Sequence, residues 1–417
     1  MTTTINNEHK KVYVPNKREQ NQTCLDSAER EGLRPKGNVP NLRFPEFQGE
    51  WEKCKVSDLL DFYSTNSLSW DKLEYGTDAI QNLHYGLIHV GLPTMIDLSK
   101  DKLPNITNGN TPKNYELCQE GDIAFADASE DTNEVAKAVE FYKLNGKDVI
   151  CGLHTIHGRD NQQKTVVGYK GYAFSSTAFH HQIRRIAQGT KIYSINSKNF
   201  SECYIGIPSK EEQKKIATLL QLIDERIATQ NKIIDKLQSL IKGIAQKIVH
   251  NNKPNVRLSD CLECNSSTLQ ESDVCEQGTY PVYGANGIVG YLDNYSTEGE
   301  AAYIIKDGSG VGTVSYVTGK CSATGTLNTL QAKEGYSLQY FYYLLKVFNF
   351  EPYKTGMAIP HIYFKDYGKA KVFCPSYTEQ LQYARLLSAI DNKLSIEQNI
   401  LTELRLQKQC LLRQMFI

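Results

Sequence analysis

The residues of this 417-residue chain that could do chemistry are cysteines, histidines and one glycine-rich segment. Cys261 and Cys264 form a single CxxC pair, and Cys275 follows. Tetrahedral zinc sites need a fourth ligand and usually a second pair of ligands, which this region lacks. The sequence therefore predicts no metal site. Because the 11 cysteines are scattered and odd in number, they indicate reduced thiols in a cytoplasmic protein and not a disulfide framework.

Two histidine pairs, His154 with His157 and His180 with His181, have the residue type for metal or acid–base chemistry. Neither pair has a carboxylate at a matching spacing, so we predict that these side chains lie at the surface or face DNA. Residues 308–312 (GSGVG) look like a nucleotide-binding loop, but no predicted helix follows them, which favours a simple turn.

Motifs of complete catalytic sites are missing from the sequence. It has no GxxxxGKS or GxxxxGKT phosphate loop, which a motor protein would need. It also has no Asn-Pro-Pro-Tyr or Asp-Pro-Pro-Tyr segment, which amino-methyltransferases use to hold the target amine. We therefore predict that the chain is not an enzyme by itself.

Composition and charge are those of an ordinary globular protein. Hydrophobic residues make up 40% and charged residues 23% of the chain, and no apolar run reaches the length of a membrane span. Lys and Arg number 47, as do Asp and Glu, so the net charge is zero. Binding of nucleic acid by bulk electrostatics is therefore not expected, and any such binding must depend on local patches or on partner proteins.

The elements that must position these residues are organised around a heptad pattern in residues 208–250. Its apolar positions alternate at spacings of four and three and are Ile216, Leu220, Ile223, Ile227, Ile234, Leu237, Ile241, Ile244 and Ile248. Only Gln230 interrupts the pattern. A helix of ~40 residues would be ~60 Å long at about 1.5 Å per residue. So narrow an apolar stripe predicts a partner helix.

A second copy of this segment ends the chain at 375–417. At one constant offset, Pro208 aligns with Pro375 and Asp224 with Asp391, and no gap is needed. Upstream of the long helices, the same offset also aligns Gly189 with Gly356, Ile192 with Ile359 and Ile195 with Ile362. The sequence therefore predicts an internal duplication in which each globular domain is followed by one long helix.

The duplication divides the chain into five segments, for which we predict a mixed α/β fold. They are a polar N-terminal extension at 1–40 that we expect to be flexible, a globular domain at 41–207, a long helix at 208–250, a second globular domain at 251–374 and a C-terminal long helix at 375–417. Helical spacing predicts a helix over 169–187, and the apolar run at 337–348 predicts a buried helix.

Four segments resemble the specificity subunit of type I restriction–modification systems: LRFPEFQGEW (42–51), PSKEEQKKIATLL (208–220), PSYTEQLQYARLL (375–387) and TGMAIPHI (355–362). The resemblance extends from about residue 40 to the C-terminus. It implies two target recognition domains, each reading one half of an asymmetric bipartite DNA site. It also implies that the long helices form an antiparallel coiled coil with an internal pseudo-two-fold repeat, which sets the spacing and docks methyltransferase subunits.

The resemblance also implies the partners and cofactors. The partners are double-stranded DNA, two methyltransferase subunits and two restriction subunits, with no membrane. S-adenosylmethionine, ATP and Mg²⁺ belong to the partner subunits, and none is expected on this chain. The assembled complex would be an adenine-N6 DNA methyltransferase and an ATP-dependent endonuclease.

Candidate DNA contacts are polar side chains on the predicted loops of both domains, since such groups pair with base edges and phosphates. In the first domain they are Ser129, Thr132, Asn133, His154, His157, Arg159, Arg184 and Arg185. In the second domain they are Asn286, Lys306, Ser309, Lys354, Thr355 and His361. Each of them could equally be an ordinary solvated loop residue, and the two arginines could also oppose a helix dipole.

Gln230 and Glu397 occupy the same position in the two helix copies, each as the polar break in the apolar pattern. In an antiparallel pair related by a two-fold axis, such residues meet at mid-helix. We therefore predict that they lie close together and fix the register of the helix pair. The alternatives are that both point outward and, for the whole chain, that it is a coiled-coil adaptor with two protein-binding domains, which its zero net charge would suit.

Overall fold

A computed structural model describes residues 37–356 and 358–417, so most of the predicted N-terminal extension lies outside the described residues. The chain forms two compact units. Unit 1 comprises the described residues up to Ala228 together with Thr402–Ile417, and unit 2 comprises Thr229–Leu401. Each unit holds one globular domain and a part of both long helices. In the described ranges, no helix is long and apolar enough to cross a membrane.

Unit 1 is built from short strands. They are β1 Glu52–Lys55, β2 Asp61–Tyr63, β3 Leu73–Glu74, β4 Gln81–Leu83, β5 Met95–Asp97, β6 Asn105–Ile106, β7 Ile123–Ala126, β8 Ala128–Ser129, β9 Ala138–Lys143, β10 Val149–Cys151, β11 Thr155–Arg159, β12 Tyr193–Ser194 and β13 Tyr204–Ile207. A five-stranded sheet has the order β2-β11-β7-β9-β5, and a four-stranded sheet has the order β10-β4-β6-β3. Two further pairs, β1 with β13 and β8 with β12, complete the unit.

The helices of this domain contribute side chains to its core. They are α1 Val56–Leu59, α2 Tyr85–Val90, α3 Tyr169–Phe174, α4 Thr177–Ile186 and α5 Ser197–Ser201, with a 3₁₀ turn at Trp70–Lys72. The ring of Phe125, on the fully buried β7, meets Phe174 and Phe200 edge-on at 4.9 Å. The helix predicted over 169–187 is two helices, because the hydroxyl of Ser176 accepts the Phe179 N–H and so starts a new helix.

Unit 2 contains a second strand-rich domain. Its strands are β14 Val256–Arg257, β15 Leu262–Ser266, β16 Tyr280–Gly284, β17 Gly287–Leu292, β18 Glu300–Ile305, β19 Val314–Thr318, β20 Ser322–Ala323, β21 Leu327–Ala332 and β22 Lys371–Val372. The sheets have the orders β15-β21-β18-β19, β17-β16-β20 and β14-β22. Its short helices are α7 Leu258–Cys261, α8 Leu338–Leu345 and α9 Phe364–Tyr367, with 3₁₀ turns at Glu271–Asp273 and Glu351–Tyr353. The predicted buried helix at 337–348 corresponds to α8, in which every residue except the half-buried Gln339 is buried.

The two long helices are α6 Lys210–His250, of 41 residues, and α10 Tyr377–Gln414, of 38 residues. The fourth residue of each is a buried glutamine, Gln213 in α6 and Gln380 in α10. Each glutamine amide donates to the carbonyl of the proline five residues earlier, at 2.9 and 3.0 Å. Each amide oxygen accepts a backbone N–H of the adjoining domain, from Val166 at 2.8 Å and from Ser337 at 2.9 Å. The repeated Glu-Gln motif thus fastens each helix start to its own domain.

Candidate nucleic-acid interface

In unit 1, the loop after β7 and the end of α4 form a polar patch. The Ser129 hydroxyl accepts the Asp131 N–H at 3.1 Å, and the Asp131 carboxylate accepts both the backbone N–H and the side-chain amide of Asn133. The Asn133 oxygen in turn accepts a hydrogen bond from Arg184 at 2.9 Å. The structure therefore brings three predicted residues, Ser129, Asn133 and Arg184, into one exposed patch. Thr132 lies half-buried within the same loop, and Arg185 is exposed at the end of α4.

A cleft of about 670 Å³ lies beside this patch, and Ser129 and His154 both line it. His154 is exposed, has a left-handed backbone with φ 55°, and holds its Nδ1 3.1 Å from Asp127 Oδ1. Trp70 and His89 supply aromatic surface to the same cleft. The cleft therefore joins hydrogen-bonding groups to flat rings, which is a combination suited to contact with bases.

Two of the predicted DNA-contacting residues, His157 and Arg159, are buried and not accessible to a ligand such as DNA. His157 is 0% exposed, and its Nε2 lies 2.7 Å from Asp122 Oδ2. Arg159 is buried and donates to both Asp122 oxygens at 2.8 Å, while its guanidinium stacks 4.4 Å from the ring of Tyr63. Burial opposes ionisation of Asp122, but the hydrogen bonds from His157 and Arg159 outweigh it, so the pKa of this carboxyl lies below its ordinary value. These side chains pair with Asp122 in the interior of the domain and are not accessible to DNA.

The prediction failed for these two residues because of where β11 lies. From the sequence, residues 157 and 159 were predicted to lie on a loop. In the structure β11 continues to Arg159 and pairs with β2 on one side and β7 on the other. Since side chains alternate along a strand, His157 and Arg159 share one face of an interior strand and both turn inward.

In unit 2, the loop after β18 lies against the segment 355–361. His361 Nδ1 is 2.6 Å from Asp307 Oδ1, and Thr355 and His361 exchange backbone hydrogen bonds of 2.9 and 2.7 Å. The backbone of Lys306 accepts the Ile362 N–H at 2.9 Å. Three predicted residues, Lys306, Thr355 and His361, are therefore brought together.

The other predicted residues of unit 2 lie at different places. Ser309 is exposed on the loop after β18. Lys354 forms an ion pair of 2.6 Å with Glu351. Asn286 is exposed at the turn between β16 and β17, on a different sheet from β18. The structure thus groups part of the predicted set around residues 306–309 and 355–361 and leaves Asn286 on a separate hairpin.

A loop closed by the same pair of backbone hydrogen bonds occurs in both units. It runs from residue 188 to 194 in unit 1 and from 355 to 361 in unit 2, and the end residues of each loop exchange two backbone hydrogen bonds. Gly189 has φ 136° and Gly356 φ 88°, and a Cβ on either would overlap the carbonyl oxygen of the isoleucine three residues later. Those isoleucines, Ile192 and Ile359, are 63% and 58% exposed.

The exposed isoleucines were not among the predicted site residues. The signal was present, since the constant offset aligns both the glycines and the isoleucines of the two loops. What the offset could not show is that the shared apolar residue faces outward, because isoleucine is far more often a core residue.

The predicted register pair lies within unit 2. The Gln230 amide donates to the Glu397 backbone carbonyl at 3.0 Å and also to the Glu397 carboxylate. Both side chains are buried, at 7% and 6% exposure, and Lys393 forms an ion pair with the same carboxylate. The structure places the two residues in contact; their role in fixing the register stays a prediction.

The described chain thus consists of two globular domains of mixed α/β structure, each followed by a long helix and each carrying a loop closed by the same pair of hydrogen bonds. The chain belongs to the type I restriction modification DNA specificity domain family, whose family model matches residues 152–239 and 251–406. The resemblance noted in the sequence and the α/β class are thereby confirmed.

Individual relatives agree with this family. The chain is 28% identical over 116 residues to the specificity subunit of the Escherichia coli type I restriction enzyme EcoprrI, a match that covers 28% of this chain and 29% of that relative. It is 25% identical over 302 residues to a protein of Mycoplasma genitalium provisionally named a type I specificity subunit, covering 66% of this chain and 78% of that relative.

Solved structures show the same fold. The crystal structure of a type I restriction–modification S subunit from M. genitalium superposes with a TM-score of 0.60 at 18% identity, covering 91% of this chain and 99% of that one. A chain from a study of complex assembly and conformational transition of the type I system has a TM-score of 0.53 at 15% identity, covering 87% of this chain and 96% of that one.

Proposed function

We propose that this chain is the DNA sequence-specificity subunit of a type I restriction–modification complex and that each domain reads one half of an asymmetric bipartite site. The observation that carries the proposal is the loop that occurs in both units, at Gly189–Ile192 and at 356–359, inside the two regions that match the family. The polar residues beside the two loops differ, since Ser129 pairs with Tyr193 of the first loop and Asp307 pairs with His361 of the second. Equal frameworks with unequal surroundings suit half-sites of different sequence.

The long helices in this proposal form an antiparallel coiled coil with a pseudo-two-fold relation between the halves. Contacts inside unit 2 support the antiparallel direction. Gln230 bonds to Glu397, and a cavity of about 440 Å³ further along α6 is lined by Ile241 together with Leu394 and Asp391. Numbers rise along α6 while they fall along α10, as antiparallel helices require. Such a pair would set the distance between half-sites at about one helical turn of DNA, roughly 34 Å.

Chemistry in the assembled complex is assigned to partner subunits. Two methyltransferase subunits would carry S-adenosylmethionine and receive an adenine flipped from the duplex. Two restriction subunits would use ATP and Mg²⁺. The specificity subunit would contribute no catalytic group and would position the DNA. Its zero net charge agrees with an arrangement in which partners share the phosphate contacts.

A domain exchange tests the proposal. Residues 41–207 are replaced by the same region of a relative with a different site, and methylated positions are mapped in host DNA by single-molecule sequencing. We expect one half of the methylated site to change while the other half stays. If both halves stayed unchanged, the modular reading of DNA would be wrong.

A second measurement separates the proposal from a protein-binding adaptor. The chain, assembled with its methyltransferase partner, is tested for retention of labelled duplexes on filters across a salt series. A DNA-reading subunit must retain duplexes selectively by sequence, and its affinity must fall as salt rises. Retention that ignores sequence and salt would support the adaptor.

A further inference from the structure

Three ligand-type side chains meet in the interior of unit 1. The Sγ atoms of Cys118 and Cys151 lie 3.6 Å apart, and they and a ring nitrogen of His157 are all within 4.8 Å of one another. All three residues are buried. Cys151 ends β10, Cys118 bonds to the backbone of that strand through its N–H, and His157 lies in β11. The cluster therefore joins the four-stranded sheet to the five-stranded sheet.

One nitrogen of His157 is used and the other is not. Nε2 pairs with Asp122 at 2.7 Å, whereas Nδ1 is buried without a hydrogen-bond partner in the described part of the chain. An orphaned ring nitrogen in the interior costs free energy unless something pairs with it. A metal-bound histidine commonly donates its other N–H to a carboxylate, which fixes the tautomer and makes the ligand nitrogen more basic. Asp122 is placed to do this.

From this geometry we propose that Cys118, Cys151 and His157 bind a thiophilic divalent cation, zinc, which fastens the two sheets of the first domain. Two Zn–S bonds of about 2.3 Å at a tetrahedral angle separate the sulfur atoms by about 3.8 Å, close to the observed spacing. Three protein ligands leave the fourth position to a water molecule, as in other zinc sites with three protein ligands.

The charges of the cluster favour a divalent cation. Two thiolates and a neutral imidazole would balance the two positive charges of zinc, and Asp122 is already balanced by Arg159 at 2.8 Å. The zinc ion with its three ligands would therefore carry no net charge. A neutral cluster avoids the large free-energy cost of an unpaired ion in the protein interior.

The site would act on the segment between two of its ligands. Cys151 and His157 flank the turn that carries His154, whose left-handed backbone presents its ring to the cleft beside Ser129. Fixing both ends of a short segment limits the conformations of what lies between them. Zinc at this position would therefore hold His154, a candidate DNA-contacting residue, in place without being bound by it.

The competing explanation is a thiol pair without metal. A disulfide needs its sulfur atoms about 2.0 Å apart, so the observed 3.6 Å is that of two free sulfur atoms. Oxidation after a small movement would consume both ligands and exclude the cation. The two explanations therefore predict different masses and different metal contents.

Metal content of the full chain tests the proposal directly. After purification under reducing conditions and dialysis, elemental analysis should find about one zinc per chain, and cobalt exchanged into the site should show thiolate-to-cobalt charge transfer and tetrahedral d–d bands. Cys118→Ser and Cys151→Ser should each lower bound zinc at least ~10-fold. Cys203→Ser, which changes another buried cysteine of unit 1, should keep it.

His157→Gln separates ligation from folding, because a glutamine amide can still donate to Asp122 but offers no imidazole nitrogen. It should weaken zinc binding while the circular dichroism spectrum stays that of the wild type. Wild-type chain that takes up neither zinc nor cobalt, or a Cys118–Cys151 disulfide in chain purified under reducing conditions, would overturn the proposal. None of these measurements involves DNA, so the result does not depend on the proposed function.

Discussion

Gln230 and Glu397 are buried partners, with the glutamine amide 3.0 Å from the Glu397 carbonyl and also bonded to its carboxylate. They occupy aligned positions in the two helix copies, and Gln230 is the one polar break in the apolar heptad pattern of the first copy. A polar pair inside a helix interface lowers stability but fixes the register of the helices. A shift in register would leave each polar group buried among apolar side chains without its partner.

A double-mutant cycle on this pair tests its role. Gln230→Leu leaves the buried Glu397 carboxylate short of a donor and should lower the free energy of unfolding by about 1–3 kcal/mol. Adding Glu397→Leu removes both polar groups and should restore stability while loosening the register. Chemical denaturation measures the first effect and cross-linking of cysteines placed along the two helices measures the second. Ser239→Ala, on an exposed position of α6, is the control.

The glycines of the repeated loop have no room for a side chain. Gly189→Ala would set a Cβ against the Ile192 carbonyl at a φ that favours glycine, which costs about 1–3 kcal/mol locally. We expect weaker binding of DNA by the assembled complex, seen as a rise in Kd for cognate duplex with little change for random duplex. Gly356→Ala should do the same through the other half-site.

Gly243→Ala is the matched control for both loop variants. Gly243 lies inside α6, and a Cβ there meets nothing within 4 Å. The change should stabilise the helix by about 0.5–1 kcal/mol and leave DNA binding as it was. Equal losses of binding in all three variants would show that the loops have no special part in recognition.

Acid should weaken unit 1 through His180. Burial, followed by the nearby Arg184 and Lys137, lowers its pKa to about 4, against the opposing effect of Glu134. The unfolded chain therefore takes up a proton near pH 6.5 that the folded chain refuses until about pH 4, and stability falls as pH falls through this window. The expected loss between pH 7 and pH 5 is about 2 kcal/mol.

Denaturant titrations at both pH values measure this loss. His180→Gln should remove most of the difference between pH 7 and pH 5, because the substituted side chain does not titrate. His181→Gln, one residue further on the same helix but exposed, should retain it. An identical pH dependence in wild type and His180→Gln would contradict the assignment.

The long helices were predictable because a heptad pattern needs only local spacing, and the predicted limits of 208–250 and 375–417 differ from α6 and α10 by a few residues. The burial of a side chain could not be predicted where it depends on the order of strands in a sheet. His157 and Arg159 turn inward only because β11 lies between β2 and β7. The cysteine–histidine cluster was not predicted for the same reason. Cys118 comes close to Cys151 only because its segment pairs with β10, and the two cysteines have no CxxC spacing in the sequence.

Asn133 gives the sharpest test of base reading in the first domain, because it joins the loop after β7 to Arg184 through a 2.9 Å hydrogen bond. If its amide contacts a base, Asn133→Ala should cost about 1–3 kcal/mol of binding for the cognate half-site and relax the preference at one base pair. If Arg184 contacts phosphate, Arg184→Ala should weaken all duplexes alike and reduce the slope of log K against log salt by about 1.

Both variants are assayed in the assembled complex against duplexes altered one base pair at a time. Lost preference should be confined to the half-site of the first domain, since the second domain carries its own loop at 355–361. Because Asn133 and Arg184 share a hydrogen bond, their effects should not add, and the double variant should bind more tightly than the sum of the single losses predicts. Strict additivity would show that the two side chains meet DNA independently and that the patch is not a unit.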